Sequence, residues 1–137
     1  MAHQHVGIIG TINRKGEEHN IKCSIEVLPF KDWATIPRST RGVYILSDAD
    51  GRVIYVGKGF IRTRQSSHWP KAHGTPKKSQ IYPKAWQQLQ EDLQPDPSTW
   101  TLHYISLQRE TELSAMEGSL IHALQPRAND ETYKDNH

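Results

Sequence analysis

Two short apolar runs flank a turn-forming cluster in the middle of the chain. Residues 42–46 and 53–57 are apolar, and residues 47–51 between them are rich in Asp and Gly, which tolerate left-handed backbone geometry. The pattern predicts a β-hairpin. A tight turn at the centre of the cluster would place Tyr44 directly opposite Tyr55, so both phenols would project from the same face. Such an aromatic pair either stiffens the hairpin or belongs to a functional site.

Periodic segments elsewhere predict further strands and helices. Predicted strands cover residues 6–12, 21–28 and 100–107, and predicted helices cover residues 83–93 and 111–124. Residues 68–78 are expected to form a loop, because two prolines and a glycine interrupt them. The predicted fold class is α/β of the α+β type. It has a small central antiparallel sheet built on the central hairpin, about three flanking helices and an N-terminal β-hairpin extension.

The segment after the central hairpin carries basic and titratable side chains. Gly57, Lys58 and Gly59 are expected to form a flexible corner after the second strand. Arg64 and His68 are four residues apart, so a helix would place them on one face. Two phenols, a lysine, an arginine and a histidine near this corner would make a site for a phosphate.

The predicted helix over residues 111–124 contains a carboxylate inside its apolar stripe. The stripe consists of Leu113, Met116, Leu120, Ile121 and Leu124, and Glu117 lies within it. Carboxylates are almost never fully buried without a partner. Glu117 therefore either lies at the edge of the stripe in a structural salt bridge, or emerges at a site where a cation compensates its charge.

These residues together resemble the GIY-YIG nuclease signature. Gly42-Val43-Tyr44 and Tyr55-Val56-Gly57 are similar to the two tripeptides of that family, and ten residues separate them. The family also carries a Lys after the second tripeptide, an Arg with a His or Tyr four residues later, a Glu on a later helix and an Asn beyond it. The matching positions in this sequence are Lys58, Arg64, His68, Glu117 and Asn129. Arg64 comes one position sooner than in the family pattern, which leaves Arg62 as a competitor.

The resemblance implies a metal-dependent DNA endonuclease that hydrolyses phosphodiester bonds. Its catalytic residues would be Tyr44, Tyr55, Lys58, Arg64, His68 and Glu117. Tyr44 would orient or deprotonate the attacking water, Tyr55 would hydrogen-bond the water or the phosphate, and His68 would assist proton transfer. The choice of the general base among Tyr44, Lys58 and His68 stays open.

Charged and polar side chains would complete this chemistry. Arg64 would bind the scissile phosphate with charge-assisted hydrogen bonds, and Lys58 would activate water or lower the pKa of a phenol. Glu117 offers one hard oxygen ligand, which suits Mg²⁺ (or Mn²⁺), and the scarcity of other acids near the motif argues against a two-metal site. Asn129 is expected to be structural or to position a phosphate.

Positive charge is concentrated in the middle of the sequence. Residues 51–90 hold eight basic and no acidic residues, so the remainder holds nine basic against 15 acidic residues. A basic block within an acidic chain is either a solvated face or the footprint of a polyanion, here double-stranded DNA. The substrate-binding residues would be Arg62, Trp69, Lys71, Lys77, Lys78 and Asn129. Trp69 would stack on a base or be buried.

The 137 residues are expected to form one domain. Its parts would be an N-terminal β extension (1–38), a nuclease core (39–129) and a polar tail (130–137) that frays. The single cysteine excludes an intramolecular disulfide, and no apolar run approaches a membrane span. Without a secretory signal, a cytoplasmic protein is expected.

The biological role is less defined by the sequence. The chain is too short for a large separate DNA-recognition domain, so a stand-alone restriction, phage or effector nuclease is expected. The alternative is a catalytically inactive nucleic-acid-binding module, or a protein-interaction regulator on the same scaffold. Two cuts at a palindrome would favour a homodimer, although no residue establishes one.

Overall fold

The computed structural model describes residues 4–14 and 17–129, with side chains from residue 24 onwards. Its strands are β1 (Gln4–Arg14), β2 (Glu17–Pro29), β3 (Arg41–Ser47), β4 (Val53–Phe60) and β5 (Thr101–Ser106). Its helices are α1 (Ile61–Ala72), α2 (Lys84–Leu93) and α3 (Glu110–Leu124), and two short 3₁₀ turns cover Phe30–Thr35 and Pro97–Thr99. The polar tail predicted at 130–137 lies outside the described residues.

All neighbouring strands are antiparallel, in the order β1-β2-β5-β3-β4. The N-terminal hairpin joins the sheet through β2, which pairs with β5, and the central hairpin joins it through β3. The predicted α+β fold is therefore confirmed, with its antiparallel sheet, three helices and N-terminal hairpin. None of the helices in the described part of the chain is long and apolar enough to cross a bilayer.

The register of the central hairpin differs from the prediction. Tyr44 pairs with Gly57, and Tyr55 pairs with Leu46, with an irregularity between Leu46 and Ser47. The turn is longer than the predicted tight turn because the Asp48 carboxylate accepts hydrogen bonds from the backbone N–H groups two and four residues later. The shift is two residues, an even number, so Tyr44 and Tyr55 still project from one face of the sheet.

Two other local predictions are wrong. The expected flexible corner is part of β4, because Gly57, Lys58 and Gly59 all pair with β3. The segment expected to be a loop from residue 68 continues α1 as far as Ala72, with Pro70 inside the helix. Proline removes one helical hydrogen bond. Burial of His68 and Ala72 on either side of Pro70 compensates for that loss.

Two apolar clusters lie on opposite faces of the sheet. Successive residues of β3 alternate between them: Tyr44 contacts His68 of α1 in the larger cluster, whereas Val43 packs with α3 in the smaller one. The backbone of residues 127–129 covers the outer edge of β4, where Ala128 N–H donates to Ile54 O at 2.7 Å. The edge strand is therefore protected from pairing with another chain.

Candidate active site

A buried aromatic cluster joins the central hairpin to α1 and α2. Tyr44 Oη and His68 Nε2 are hydrogen-bonded at 2.7 Å, and the two residues are only 1% and 4% exposed. The Tyr55 ring lies 4.4 Å from the His68 ring and 6.1 Å from the Tyr44 ring, between centroids. Trp86 of α2 stacks on His68 at 5.4 Å and also lies 5.8 Å from Tyr55, between ring centroids. The structure therefore brings together both phenols and the histidine of the predicted site.

Gly57 creates the space that the Tyr44 phenol occupies. A Cβ atom added at residue 57 would lie 2.4 Å from Tyr44 Oη and 2.9 Å from Tyr55 Cε1. Both distances are shorter than side-chain contacts allow, so only glycine fits beneath the two rings. Residue 57, the cross-strand partner of Tyr44, must therefore be glycine because the two rings leave no room for a side chain, and not because of strand propensity.

Burial keeps both members of the Tyr44–His68 pair neutral at neutral pH. Burial raises the pKa of Tyr44 well above 10.0; Tyr55 and Glu117 raise it further, and Arg64 lowers it. Burial also lowers the pKa of His68 well below 6.5, with smaller contributions from the charges of Lys71 and Arg64. A neutral phenol hydrogen-bonded to a neutral imidazole can pass a proton between the two rings.

Arg64 and Glu117 act on the same phenol with opposite charges, as the electrostatic contributions to the pKa of Tyr44 show. Arg64 is exposed on α1 and lies against Gly59, where an added Cβ would be 2.8 Å from Arg64 Nε. Glu117 is partly buried on α3. The charges of both residues, from helices on the two sides of the sheet, therefore reach the Tyr44 phenol electrostatically.

Lys58 does not lie on the same face of the sheet as Tyr44 and Tyr55. In β4 it alternates with Gly57 and Gly59, so its side chain lies on the face that packs against α3. There Lys58 Nζ donates hydrogen bonds to Glu110 and, at 2.7 Å, to Ser114 Oγ. The structure thus separates Lys58 from the tyrosines across the sheet.

Of the residues expected to bind substrate, some pack against aromatic rings and others are cations that form no salt bridge within the described part of the chain. The Trp69 indole packs edge-on against Phe30 at 5.0 Å, which favours the buried alternative over base stacking. Lys71 Nζ lies over the Trp86 ring, 5.5 Å from its centroid. The remaining three cations are Arg62, Lys77 and Lys78, and none of them forms a salt bridge within the described segments.

The side chain of Asn129 is hydrogen-bonded to the backbone of β4. Its side chain is 4% exposed, and its Oδ1 accepts from Val56 N–H at 2.9 Å while its Nδ2 donates to Val56 O at 2.8 Å. Both ends of the amide are therefore engaged by the edge strand next to Tyr55. The side chain therefore ties β4 to the segment that follows α3.

Sequence reasoning missed three residues near the site. Glu110 and Arg41 form a salt bridge next to Lys58. Gln65 is fully buried on α1, and neither polar atom of its side chain has a hydrogen-bond partner among the described residues. The spacing of Glu110 to Ser114, one helical turn, is the only local signal of this arrangement. Nothing in the sequence indicates that Gln65 is buried.

The chain is similar to UvrABC system protein C of two flavobacteria. It is 34% identical to the protein from Flavobacterium psychrophilum over 98 residues, which cover 67% of this chain and 14% of that protein. It is also 34% identical to the protein from Flavobacterium johnsoniae over 89 residues, which cover 64% of this chain and 13% of that protein. The chain thus spans about one seventh of the length of these relatives. No protein-family profile matches the chain.

Proposed function

We propose that this chain is a metal-dependent DNA endonuclease with a GIY-YIG active site. The observation that carries the proposal is the buried Tyr44–His68 hydrogen bond, beside Tyr55, with Arg64 and Glu117 acting on the same phenol. These are the residue types that phosphodiester hydrolysis needs: groups that move a proton, a cation for the phosphate and a ligand for a metal. The similarity of about two thirds of this chain to UvrABC system protein C supports a nuclease-type role.

The phenol and the imidazole would act as a relay. Tyr44 would accept a proton from the attacking water while it passes its own proton to His68 Nε2, to which it is hydrogen-bonded at 2.7 Å. Burial makes a free tyrosinate unfavourable, because the pKa of Tyr44 is raised well above 10.0. A concerted transfer to neutral His68 avoids that species. Among the three candidate general bases, this geometry favours His68 acting through Tyr44.

Arg64 would neutralise charge on the phosphate as the new P–O bond forms and the bond to the departing oxygen breaks. Its guanidinium is exposed, and its donors can bind two phosphate oxygens at once. Because its charge also lowers the pKa of Tyr44, the arginine would favour release of the phenol proton to His68. Tyr55, which lies against His68, would orient the water or a phosphate oxygen.

The residues present fit a metal held by a single protein carboxylate. No group of three or more His, Cys, Asp or Glu residues is arranged to hold a metal ion within the part of the chain that the structure describes. Mg²⁺ keeps several waters and takes one or two carboxylates together with substrate phosphates, so Glu117 alone would suffice as the protein ligand. When bound, the ion would polarise the phosphate and assist the leaving oxygen.

Plasmid cleavage with purified protein, in Mg²⁺ and in EDTA, tests the proposal. Cutting is expected in Mg²⁺ only and is expected to disappear in Glu117→Gln, which keeps the size of the side chain and removes its charge. Glu91→Gln, an exposed change on α2, is the matched control and should cut like the wild type. No cutting by any form, together with DNA binding that weakens as salt rises, would identify an inactive binding module instead. Cutting retained by Glu117→Gln would refute the metal site.

A further inference from the structure

Glu110 holds two cations beside the candidate active site. Its Oε2 atom accepts from Arg41, and its Oε1 atom accepts from Lys58 and from Ser114 Oγ, the latter at 3.3 Å. Arg41 also donates to Gln108 O at 3.0 Å. One carboxylate therefore occupies both cations, with each of its oxygens directed at one of them.

Arg41, Lys58 and Glu110 line a cavity of about 480 Å³. Thr63 and Arg64 form another part of its wall, so the cavity adjoins the arginine assigned to the scissile phosphate. The cavity has three cations, Arg41, Lys58 and Arg64, and one acid, Glu110. Within the described residues Arg64 forms no salt bridge, so the cavity keeps a net positive charge even with Glu110 in place.

A phosphate diester would meet the same donors as the Glu110 carboxylate. Both groups present a pair of oxygens that share one negative charge, and arginine and lysine bind either of them through charge-assisted hydrogen bonds. The Glu110 side chain is 58% exposed, so it can leave its partners for solvent without burying an unpaired charge. Exposed ion pairs of this kind are weak.

We infer that the cavity lined by Arg41, Lys58 and Arg64 binds the DNA backbone phosphate next to the scissile one. Glu110 occupies these cations in the free protein and is displaced when DNA binds. The inference rests on the proposed function, since it takes the anion to be a phosphate of nucleic acid. It makes Lys58 a substrate-binding residue, in agreement with its position across the sheet from the phenols.

The opposite role for Glu110 predicts an opposite result. If its carboxylate were needed to hold Arg41 and Lys58 in position, its removal would weaken DNA binding. If it competes with the phosphate, its removal strengthens binding. Glu110→Gln distinguishes the two roles, because it removes the charge while it keeps the length of the side chain and its hydrogen-bonding capacity.

The control is Glu112→Gln. Glu112 lies two residues further along α3, pointing to a different side of the helix, where it pairs with Arg109 at 3.8 Å. Both variants change the net charge of the protein equally. Any difference between them therefore reports the cavity and not the overall charge.

The experiment measures the affinity of the full chain for a short DNA duplex in EDTA, over a series of salt concentrations. Glu110→Gln is expected to bind about five-fold more tightly than Glu112→Gln at low salt. Arg41→Gln is expected to weaken binding and to reduce the slope of log K against log salt by about 1. Equal affinities of the two glutamate variants, or weaker binding by Glu110→Gln, would overturn the inference.

Cleavage in Mg²⁺, measured separately, keeps the two hypotheses distinct. If the wild type cleaves DNA and the affinities of Glu110→Gln and Glu112→Gln are equal, the nuclease activity is supported and the phosphate subsite is refuted. If Glu110→Gln binds more tightly but no form of the protein cleaves DNA, the phosphate subsite is supported and the nuclease activity is refuted. If neither the wild type nor Glu110→Gln binds the duplex, the phosphate subsite is refuted.

Discussion

His68 connects the chemistry of the site to the stability of the protein. Its ring is almost fully buried against Tyr55 and Trp86, and its Nδ1 atom has no hydrogen-bond partner within the described chain. A protonated imidazole would therefore carry an uncompensated charge into the core, next to Lys71 and Arg64. The resting native state therefore holds His68 neutral, and the neutral ring is the form from which the proposed relay starts.

The stability of the protein should therefore fall as the pH drops below about 6.5. The pKa of His68 is lowered in the native state, so between 6.5 and that lower pKa the unfolded chain binds a proton that the native chain does not. This linkage removes at most about 1.4 kcal/mol of the free energy of unfolding per pH unit. Burial lowers the pKa of His103 as well, so it adds to the same window.

Urea denaturation at several pH values, from about 7.5 down to about 5, measures the free energy of unfolding as a function of pH. His68→Asn should make the free energy of unfolding less dependent on pH in this range, and the exposed His122→Asn should leave the dependence unchanged. An identical pH dependence in the wild type and in His68→Asn would contradict the assignment of a buried, neutral His68.

At the scale of the elements, the close approach of β3 and β4 depends on glycine. Gly57→Ala would place a methyl group 2.4 Å from Tyr44 Oη, so the phenol or the strand must move. We expect a loss of about 1–3 kcal/mol in the free energy of unfolding, together with weaker cleavage because the phenol is displaced. Urea denaturation and plasmid cleavage measure the two effects.

Gly118→Ala is the matched control for that change. Gly118 lies within α3, and among the described residues an added Cβ there meets nothing within 4 Å. Alanine should stabilise the helix by about 0.5–1 kcal/mol. If Gly57→Ala were as harmless as Gly118→Ala, the packing of Tyr44 against residue 57 would be refuted.

The elements were easier to predict than their register. Hydrophobic periodicity identified both hairpins, α2 and α3, because amphipathic segments repeat with a period that is visible in the sequence. The length of the central turn depends on one Asp48 carboxylate that binds two backbone N–H groups, and composition alone does not reveal that. The helical segment around Pro70 was missed because tertiary burial there overrides a local preference.

At the scale of the whole molecule, part of the basic block is neutralised by nearby acids. Arg52 pairs with Asp48 and Asp50 at the turn of the central hairpin, and Lys58 pairs with Glu110. The last of these pairings joins residues 52 positions apart in sequence, so a count of charges along the chain does not predict it. The cations that remain for DNA are mainly on α1 and in the loop that follows it.

Lys77 and Lys78 test whether that loop binds DNA. Both are exposed and form no salt bridge inside the described region. Changing both to Gln should weaken duplex binding and reduce the slope of log K against log salt by up to about 2. Changing Lys31 and Arg127 to Gln removes the same charge outside the block and should have little effect. Equal losses in the two double variants would show that only net charge matters.

The central claim is that the buried Tyr44–His68 pair is the proton-transfer centre of a nuclease. The most direct test is the rate at which Tyr44→Phe cuts supercoiled plasmid in Mg²⁺, with Tyr82→Phe as the control for loss of a phenol elsewhere. Circular dichroism would confirm that both variants are folded. The account predicts that Tyr44→Phe loses at least about 100-fold in rate while Tyr82→Phe cuts like the wild type. A folded Tyr44→Phe that cuts at the wild-type rate would contradict it.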